Sequence, residues 1–548
     1  VSEHHQADSN ATTPGDGGSG FRPRSVAAVP LSEIAEVLGV PAPEPDADWG
    51  VTGISLNSRT VEPGDLYLAL PGASRHGADF VPQAVESGAV AVVTDDAGAR
   101  QLALAGEQPV PVLIVQEPRT AVGRLSALIY RSQPAESGHP TLFGVTGTNG
   151  KTTTTYFINS LLRALGKTPG LIGTIEILAG GDPIPSLLTT PESTEVHGLL
   201  ALMREKGLDA ASMEVSSHAI AYHRVDGVMF DVAGFTNLTQ DHLDLHGDME
   251  EYFRTKARLF TAARARHAVV TVDDGWGRQL ARMADIPVTT LAASSDDVEA
   301  DWHVASVAAR GLGTEFELVH RDGASLRVHT GLPGDFNVAN AALATAMVAA
   351  SGVVGGDLEA LQKALDQHDP FTVSVPGRMQ LISTEPAAVV DFAHNPDALA
   401  RALKAVRSAE EGSRVIVVFG ATGQRDQGKR PTMGAIAARL ADVVIISDDD
   451  PHDEDAAAIR AEVLAGARAA VEKERLGSEI IESYPRDEAI RLAVEMAAPK
   501  DTILVAGRGH EVWQEVKGVN LALDDRVELR AALTSKGFSV SSDQRIES

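Results

Sequence analysis

A chain of 548 residues, 43% hydrophobic and 22% charged, is long enough for three or four globular cores. Its 47 basic and 75 acidic side chains leave a formal charge of −28, which opposes general nucleic-acid binding, where basic groups must neutralise phosphates. Cysteine is absent, excluding disulfides, thiol catalysis and thiolate metal sites together, and no apolar run reaches the roughly 18 residues of a membrane span.

Residues 1–26 are polar, rich in Gly, Ser, Asp and Pro, and without periodicity, which predicts a disordered tail. They lack the basic start and apolar run of a signal peptide, so a cytoplasmic protein is expected. From Ala27 the chain becomes periodic: LSEIAEVLGV predicts a short amphipathic helix, and DLYLAL and AVAVV predict strands. QPAESGH, at Gln133–His139, punctuates the chain before a second block. That block opens with the strand TLFGV (141–145), which runs into a glycine-rich turn and a helix. Further apolar runs at Ala211–Val215, Val232–Phe235 and His267–Val272 alternate with helical stretches, as in a mostly parallel sheet covered by helices. After Val375–Pro376–Gly377 the runs AAVVDF, RVIVVFG, ADVVIIS and DTILVAG predict a doubly wound, Rossmann-like sheet. The reading is α/β: three domains, over 27–138, 139–375 and 376–548, behind the tail.

GVTGTNGKTT (144–153) is the sharpest local signal. Between a strand and a helix, Gly144, Gly147 and Gly150 let backbone N–H groups close around phosphate oxygens, and the helix N-terminus adds partial positive charge. Lys151 can reach the β- and γ-phosphates, and the Thr152 hydroxyl suits Mg²⁺. Val145 stands where the strict pattern wants glycine, so the spacing is a variant. The expectation is a nucleoside triphosphate site. Glu214 (in SMEVSSH) and His242 (in TNLTQDHLD) fall near strand ends, where a carboxylate and an imidazole could hold one or two Mg²⁺ ions, or else act as cap or core partners.

Beyond these motifs the chain resembles the Mur ligase family, and within it the E-type. The resemblance is carried by NSRTVEPGDLYLAL (57–70), GVTGTNGKTTT (144–154), LTTPE (188–192), MEVSSHA (213–219), FTNLTQDHLDLHGDMEEYFRTKARLF (235–260), LPGDFNVANAALA (332–344), VPGRMQ (375–380), DFAHNPDAL (391–399), FGATGQRDQGKRPTMG (419–434), DDDPHDED (448–455) and AGRGHE (506–511). It implies three domains: the first binding the UDP end of the substrate, the central P-loop ATPase domain binding ATP, and the last presenting an amino acid. The implied reaction activates the D-glutamate carboxylate of UDP-N-acetylmuramoyl-L-alanyl-D-glutamate as an acyl phosphate, which the incoming amine displaces. Phosphoryl transfer between two anions asks for positive groups more than for a covalent nucleophile.

The resemblance also assigns residues. Gly147, Thr148, Asn149, Gly150, Lys151, Thr152 and Thr153 match the phosphate loop, with Thr152 and Glu214 at the first metal. His242 matches a second-metal ligand and Lys256 the lysine that the family carbamylates. Lys151, Glu214, His242 and Lys256 form the implied catalytic set. Asn337 and Asn340 match an adenine-contacting region, though Asn337 also suits a helix N-cap. Arg378 and Asp391 match nucleotide contacts from the third domain, with a domain-interface ion pair as the other reading. Thr189, Thr190, Ser216 and Arg224 match contacts to the muramoyl dipeptide, and Ser58 a uridine contact. Arg425, Asp450, His452, Gly507 and Glu511 match the amino-acid pocket.

That pocket departs from the family's diaminopimelate motif, Asp-Asn-Pro-Arg, which here reads Asp449–Asp450–Pro451–His452. Histidine lacks arginine's fixed two-pronged cation, and Asp450 adds charge where a second carboxylate would lie. Both changes predict L-lysine or L-ornithine as substrate. Meso-diaminopimelate is the alternative if His452 still donates and Asp450 is neutralised by Arg425. More remote readings are a folylpolyglutamate synthetase-like ligase and a non-catalytic nucleotide-binding regulator.

Overall fold

The computed structural model describes residues 21–42, 49–72, 74–133, 138–181, 183–294, 298–310, 313–424 and 426–541. The chain divides into two compact units, one made of 1–144, 167–231 and 258–266, the other of 145–166, 232–257 and 267–548.

In the first unit, strands Gly53–Ser55, Asp65–Ala69, Ala91–Thr94 and Val112–Ile114 form a parallel sheet in chain order. Asp65–Ala69 and Ala91–Thr94 are buried at every position, which is why they read as unbroken apolar runs. The predicted helix is Leu31–Leu38; it buries Leu31, Ile34 and Ala35 and ends where Gly39 turns left-handed at φ 69°. The expected tail needs a correction at its end. Residues 1–20 lie outside the described residues, but from Phe21 the chain is held. Arg22 donates from Nη1 and Nη2 to the buried Asp65 carboxylate at 2.7 and 2.8 Å, and Arg24 N to Glu205 Oε2 at 2.8 Å.

The same unit holds strands Pro169–Ile172 and Ala210–Glu214, paired parallel, with Glu176–Leu178 and Ile184–Pro185 added antiparallel. His197, wholly buried in helix Ser193–Glu205, joins the Ser132 hydroxyl at 2.7 Å to Asp226 O at 2.9 Å. Burial lowers its pKa to about 4, so it stays neutral.

The strand Thr141–Thr146, whose residues to Gly144 fall in the first unit, delivers the chain to helix Lys151–Ala164 of the second. This helix packs on helix Asp335–Ala350, whose alanines 341, 342, 344 and 346 are fully buried and allow close approach. Strands Ala265–Thr271, Val288–Ala292 and Trp302–Arg310 continue parallel, as expected. Then the sheet departs from the mostly parallel expectation: Trp302–Arg310, Gly313–His320 and Ser325–Thr330 pair antiparallel. Their burial alternates, the pattern of a sheet with one wet face.

The third block is a six-stranded sheet in the order Gln380–Thr384, Ala387–Asp391, Thr502–Ala506, Val415–Phe419, Val443–Ile446, Glu479–Glu482. All four predicted apolar runs are strands in it, and only Gln380–Thr384 is antiparallel. Buried on both faces, these runs carry no alternation. The loops after Asp391, Phe419, Ile446 and Ala506 therefore gather at the carboxyl edge, where open α/β sheets bind ligands.

Candidate active site

Gly147 and Gly150 shape the phosphate loop, at φ 143° and 90°. A Cβ on Gly147 would lie 1.9 Å from Thr236 Oγ1, and one on Gly150 2.3 Å from Asn340 Oδ1, so both positions are confined to glycine. TNLTQDH, read for its histidine, braces this loop. Thr236 Oγ1 donates to Asn149 O at 2.7 Å, Asn149 N donates to Asn237 Oδ1 at 3.1 Å, and Thr148 N to Asn237 O at 2.9 Å. Thr152 and Thr153 are buried in the first helical turn. Lys151 Nζ donates to Gly147 O at 3.1 Å and Thr148 O at 2.8 Å, folded onto the loop it would leave to meet a phosphate.

Lys256 converges on the same carbonyl: Nζ donates to Gly147 O at 2.8 Å and sits 4.7 Å from the Tyr252 ring. The side chain is 1% exposed. Burial, then the charge of Lys151, holds its amine well below the usual lysine range. His242 has a left-handed backbone at φ 52°, and its Nε2 lies 3.7 Å from Asp241 Oδ2. His394, from DFAHNPDAL, approaches the same oxygen at 3.8 Å. Burial alone would raise Asp241, but the hydrogen bond from His394 and the charges of His242, His394 and Lys429 take its carboxyl well below the usual range. Neither Asp241 nor His394 was assigned from sequence; their signal was proximity to the assigned His242 and Asp391.

Asn337 is not a cap, because helix Asp335–Ala350 starts from Gly334; its Nδ2 donates to Pro333 O at 2.8 Å and its Oδ1 accepts from Asn340 at 3.1 Å. The two amides stand together, with Asn340 against the phosphate loop rather than solvent. Arg378 lies over the Phe392 ring at 4.2 Å. Asp391 accepts from Met379 N at 2.7 Å, and burial raises its carboxyl.

In the first unit, the assigned dipeptide contacts form one cluster. Thr174 N donates to Glu214 Oε1 at 2.7 Å, and Thr174 and Thr189 hydroxyls lie 3.1 Å apart. Thr190 Oγ1 donates to Glu214 O at 2.8 Å and accepts from Ser216 N at 3.1 Å. Arg224 Nε donates to Glu192 Oε1 at 2.9 Å, while Arg119, unassigned from sequence, holds Oε2 at 2.6 Å. Ser58 is buried apart from these, its hydroxyl donating to Gln83 Oε1 at 2.9 Å.

The residues that the resemblance assigns to the amino acid lie on the loops after Ile446 and Ala506, which come together. Gly507, at φ 116°, admits no Cβ: it would lie 2.5 Å from Asp449 Oδ2. That oxygen is buried and makes no hydrogen bond among the described residues. Asp450 is paired with the fully buried Arg508, and also accepts from Glu515 N at 3.1 Å. His452 Nδ1 lies 3.0 Å from Glu515 Oε2. Burial, then Asp449 and Asp450, pushes Glu511 up to about 8. Arg425 lies outside the described residues. Sequence reasoning missed Arg508, quoted within AGRGHE, and Arg486, whose fully buried guanidinium binds Asp525 at 2.8 Å and donates to Asp448 O and Ala506 O at 2.9 Å. Nothing in the local sequence singles out Arg486.

Three domain families match in order: the Mur ligase catalytic domain over residues 50–130, the Mur ligase middle domain over 145–348, and the Mur ligase glutamate ligase domain over 377–509. The chain is 45% identical, over 93% of its length and 98% of the relative's, to the UDP-N-acetylmuramoyl-L-alanyl-D-glutamate--2,6-diaminopimelate ligase of Streptomyces avermitilis. The chain belongs to the Mur ligase family. It is also 43% identical to the UDP-N-acetylmuramyl-tripeptide synthetase of Leifsonia xyli, over 95% of this chain and 99% of that one. A solved UDP-N-acetylmuramoyl-L-alanyl-D-glutamate--2,6-diaminopimelate ligase matches at 31% identity and TM-score 0.61, covering 93% of this chain and all of the other. The chain is thus a three-domain α/β Mur ligase of the E-type, an ATP-dependent, ADP-forming amide ligase of peptidoglycan synthesis. No helix among the described residues is long and apolar enough to cross a membrane.

Proposed function

We propose that this Mur ligase joins a diamino acid, in first place 2,6-diaminopimelate, to the D-glutamate carboxylate of UDP-N-acetylmuramoyl-L-alanyl-D-glutamate. The observation that carries the choice is the pairing of Asp450 with buried Arg508. The expectation of lysine or ornithine rested on two departures, His452 in place of arginine and Asp450 presenting a free charge to a second carboxylate. Arg508, rather than the expected Arg425, takes up that charge, and the reason to exclude diaminopimelate weakens. The name borne by the Streptomyces relative points the same way.

Lys151 and the N-terminal turn of the helix that it begins hold the triphosphate and offset the repulsion between the D-glutamate carboxylate and the γ-phosphate. The carboxylate oxygen attacks phosphorus, ADP leaves, and the acyl phosphate forms. The amino acid's neutral amine then attacks the acyl carbon, phosphate departs, and an amide remains. Thr189, Thr190, Ser216 and Arg224 are assigned to the dipeptide, Ser58 to uridine, and Asn337, Asn340, Arg378 and Asp391 to the nucleotide.

Mg²⁺ fits this donor set without a dedicated cage, since it keeps several waters and takes one or two protein groups beside substrate phosphates. Among the described residues no group of three His, Asp or Glu side chains could hold a metal alone. Thr152 and His242 are the proposed ligands, with Glu214 assigned on the resemblance; Lys256 can join them as a carbamate, which would supply oxygen donors in place of the amine nitrogen. The ion would supply charge neutralisation at the phosphates.

A second reading, L-lysine or L-ornithine, is favoured by one observation: His452, in place of the arginine, is engaged by Glu515. Steady-state kinetics with diaminopimelate, lysine and ornithine separates the two. The proposal expects diaminopimelate to have the highest kcat/KM, and a preference for lysine or ornithine would overturn it in favour of the second reading.

A further inference from the structure

Four carboxylates lie around the loops after Ile446 and Ala506, and the structure distinguishes their states. Asp450 is neutralised by Arg508. Glu511, pushed up to about 8 by burial and by Asp449 and Asp450, carries a proton at neutral pH. Asp449 is buried over Gly507, its Oδ2 making no hydrogen bond among the described residues. Glu515 is different. It stands on strand Trp513–Val516, its side chain 41% exposed, and its one ion-pair partner among the described residues is His452.

The strand is fixed to the pocket loop by backbone as well as side chain. His452 N donates to Glu515 O at 3.2 Å and Lys517 N to His452 O at 2.8 Å, a parallel bridge across His452 and Val516. These bonds hold His452 in a left-handed conformation, φ 51°, that a non-glycine residue rarely adopts. Glu515 N, donating to Asp450, ties the same residue to the other side of the loop. The hairpin Trp513–Ala522 is thereby joined to the loop after Ile446 at both Asp450 and His452.

We propose that Glu515 is a specificity-determining residue that receives the distal ammonium of the diamino acid. This rests on the reading of the 448–452 and 507–511 loops as the amino-acid pocket. Glu515 presents a partly exposed carboxylate directly against His452, the residue that stands where the diaminopimelate motif has arginine, while Asp450 is paired and Asp449 buried. An ammonium arriving there makes a charge-assisted contact with that carboxylate in place of the imidazole. Diaminopimelate would place its distal ammonium on Glu515 and its distal carboxylate on the released His452; lysine or ornithine would use Glu515 alone. In either case the distal amine is what Glu515 reads, and a monoamino acid of similar length gives it nothing to bind.

The test is amide formation with diaminopimelate, L-lysine and L-norleucine by the full-length enzyme and by its Glu515→Gln and Glu515→Asp variants, with KM for ATP and for the UDP-dipeptide measured alongside. Glu515→Gln is expected to raise KM for the preferred diamino acid by about 10–100-fold, the size of a lost charge-assisted contact. KM for ATP and the UDP-dipeptide should stay within about twofold, norleucine should close on the diamino acids, and Glu515→Asp should recover most of the loss. An unchanged KM for the diamino acid in Glu515→Gln would overturn this inference alone. Failure of the unaltered enzyme to form an amide with either diamino acid would overturn the pocket assignment, and the inference with it. Because Glu515 lies at the surface of a hairpin, the glutamine variant should fold; a charge reversal, Glu515→Lys, repeats the test with a larger expected loss.

Discussion

Lys256 shows how one buried side chain can be prepared for chemistry. A carbamate forms from a neutral amine and carbon dioxide, and burial beside Lys151 favours the neutral form of this amine. Converted to a carbamate, the side chain would exchange an amine nitrogen for oxygen donors. Lys256→Ala should lower kcat by about 100-fold, the scale seen when a metal's supporting group is lost. Short-chain carboxylates should restore part of it, and a fully active alanine variant would contradict the assignment. Glu511 gives a residue-scale prediction of opposite character. Its folded pKa of about 8 lies above the ordinary 4.5, so folding favours the protonated form. Its contribution to stability is fully present below about pH 4.5 and is lost as pH rises through 8. Glu511→Gln, which fixes the neutral state, should melt with the parent at pH 4.5 and above it at pH 8.5. An equal difference at both pH values would contradict the sign.

At the scale of elements, Arg486 ties helix Arg486–Met496, helix Asp525–Lys536 and the ends of the two pocket loops into one joint, with 0% side-chain exposure for both it and Asp525. Removing one partner of such a pair leaves an uncompensated buried charge. Asp525→Ala should therefore cost about 3–5 kcal/mol, read as a lowered urea midpoint, whereas Arg486→Met with Asp525→Leu should cost far less. Equal losses in the single and double variants would show that packing, not charge, governs the joint. Legibility also divides at this scale. The strands of the third block were readable because each is apolar on both faces, and the helix after Gly150 because glycines and Lys151 mark its start. The antiparallel strands between 302 and 330 were not, because half-buried alternation interrupted by Ser306 at φ 51° gives no continuous apolar run. The pairing of Asp450 with Arg508 could not be read either: its partners are 58 positions apart, and only the fold makes them neighbours. The expectation of lysine or ornithine was therefore formed without that pairing. Lys256 was visible only through its flanking resemblance, since an isolated helix lysine reads as surface.

For the whole molecule, the account is one of managed negative charge. A chain of formal charge −28 that works as an ATP-dependent ligase must bring a triphosphate to a carboxylate, and on the proposed reading must then admit an amino acid beside Asp449, Asp450, Glu511 and Glu515. Its offsets are local: Lys151 at the confined loop, Arg508 against Asp450, burial that raises Glu511, and His452 against Glu515. The three matched Mur ligase segments provide the order of these parts along the chain. The most direct measurement is mass analysis of the product formed from ATP, UDP-N-acetylmuramoyl-L-alanyl-D-glutamate and an equimolar mixture of diaminopimelate, lysine and ornithine, with phosphate release followed in parallel. The account predicts one UDP-linked tripeptide carrying diaminopimelate, with one phosphate released per amide and none in the absence of the dipeptide. A tripeptide carrying lysine or ornithine would contradict the choice of amino acid, and phosphate release without any amide product would contradict the ligase mechanism itself.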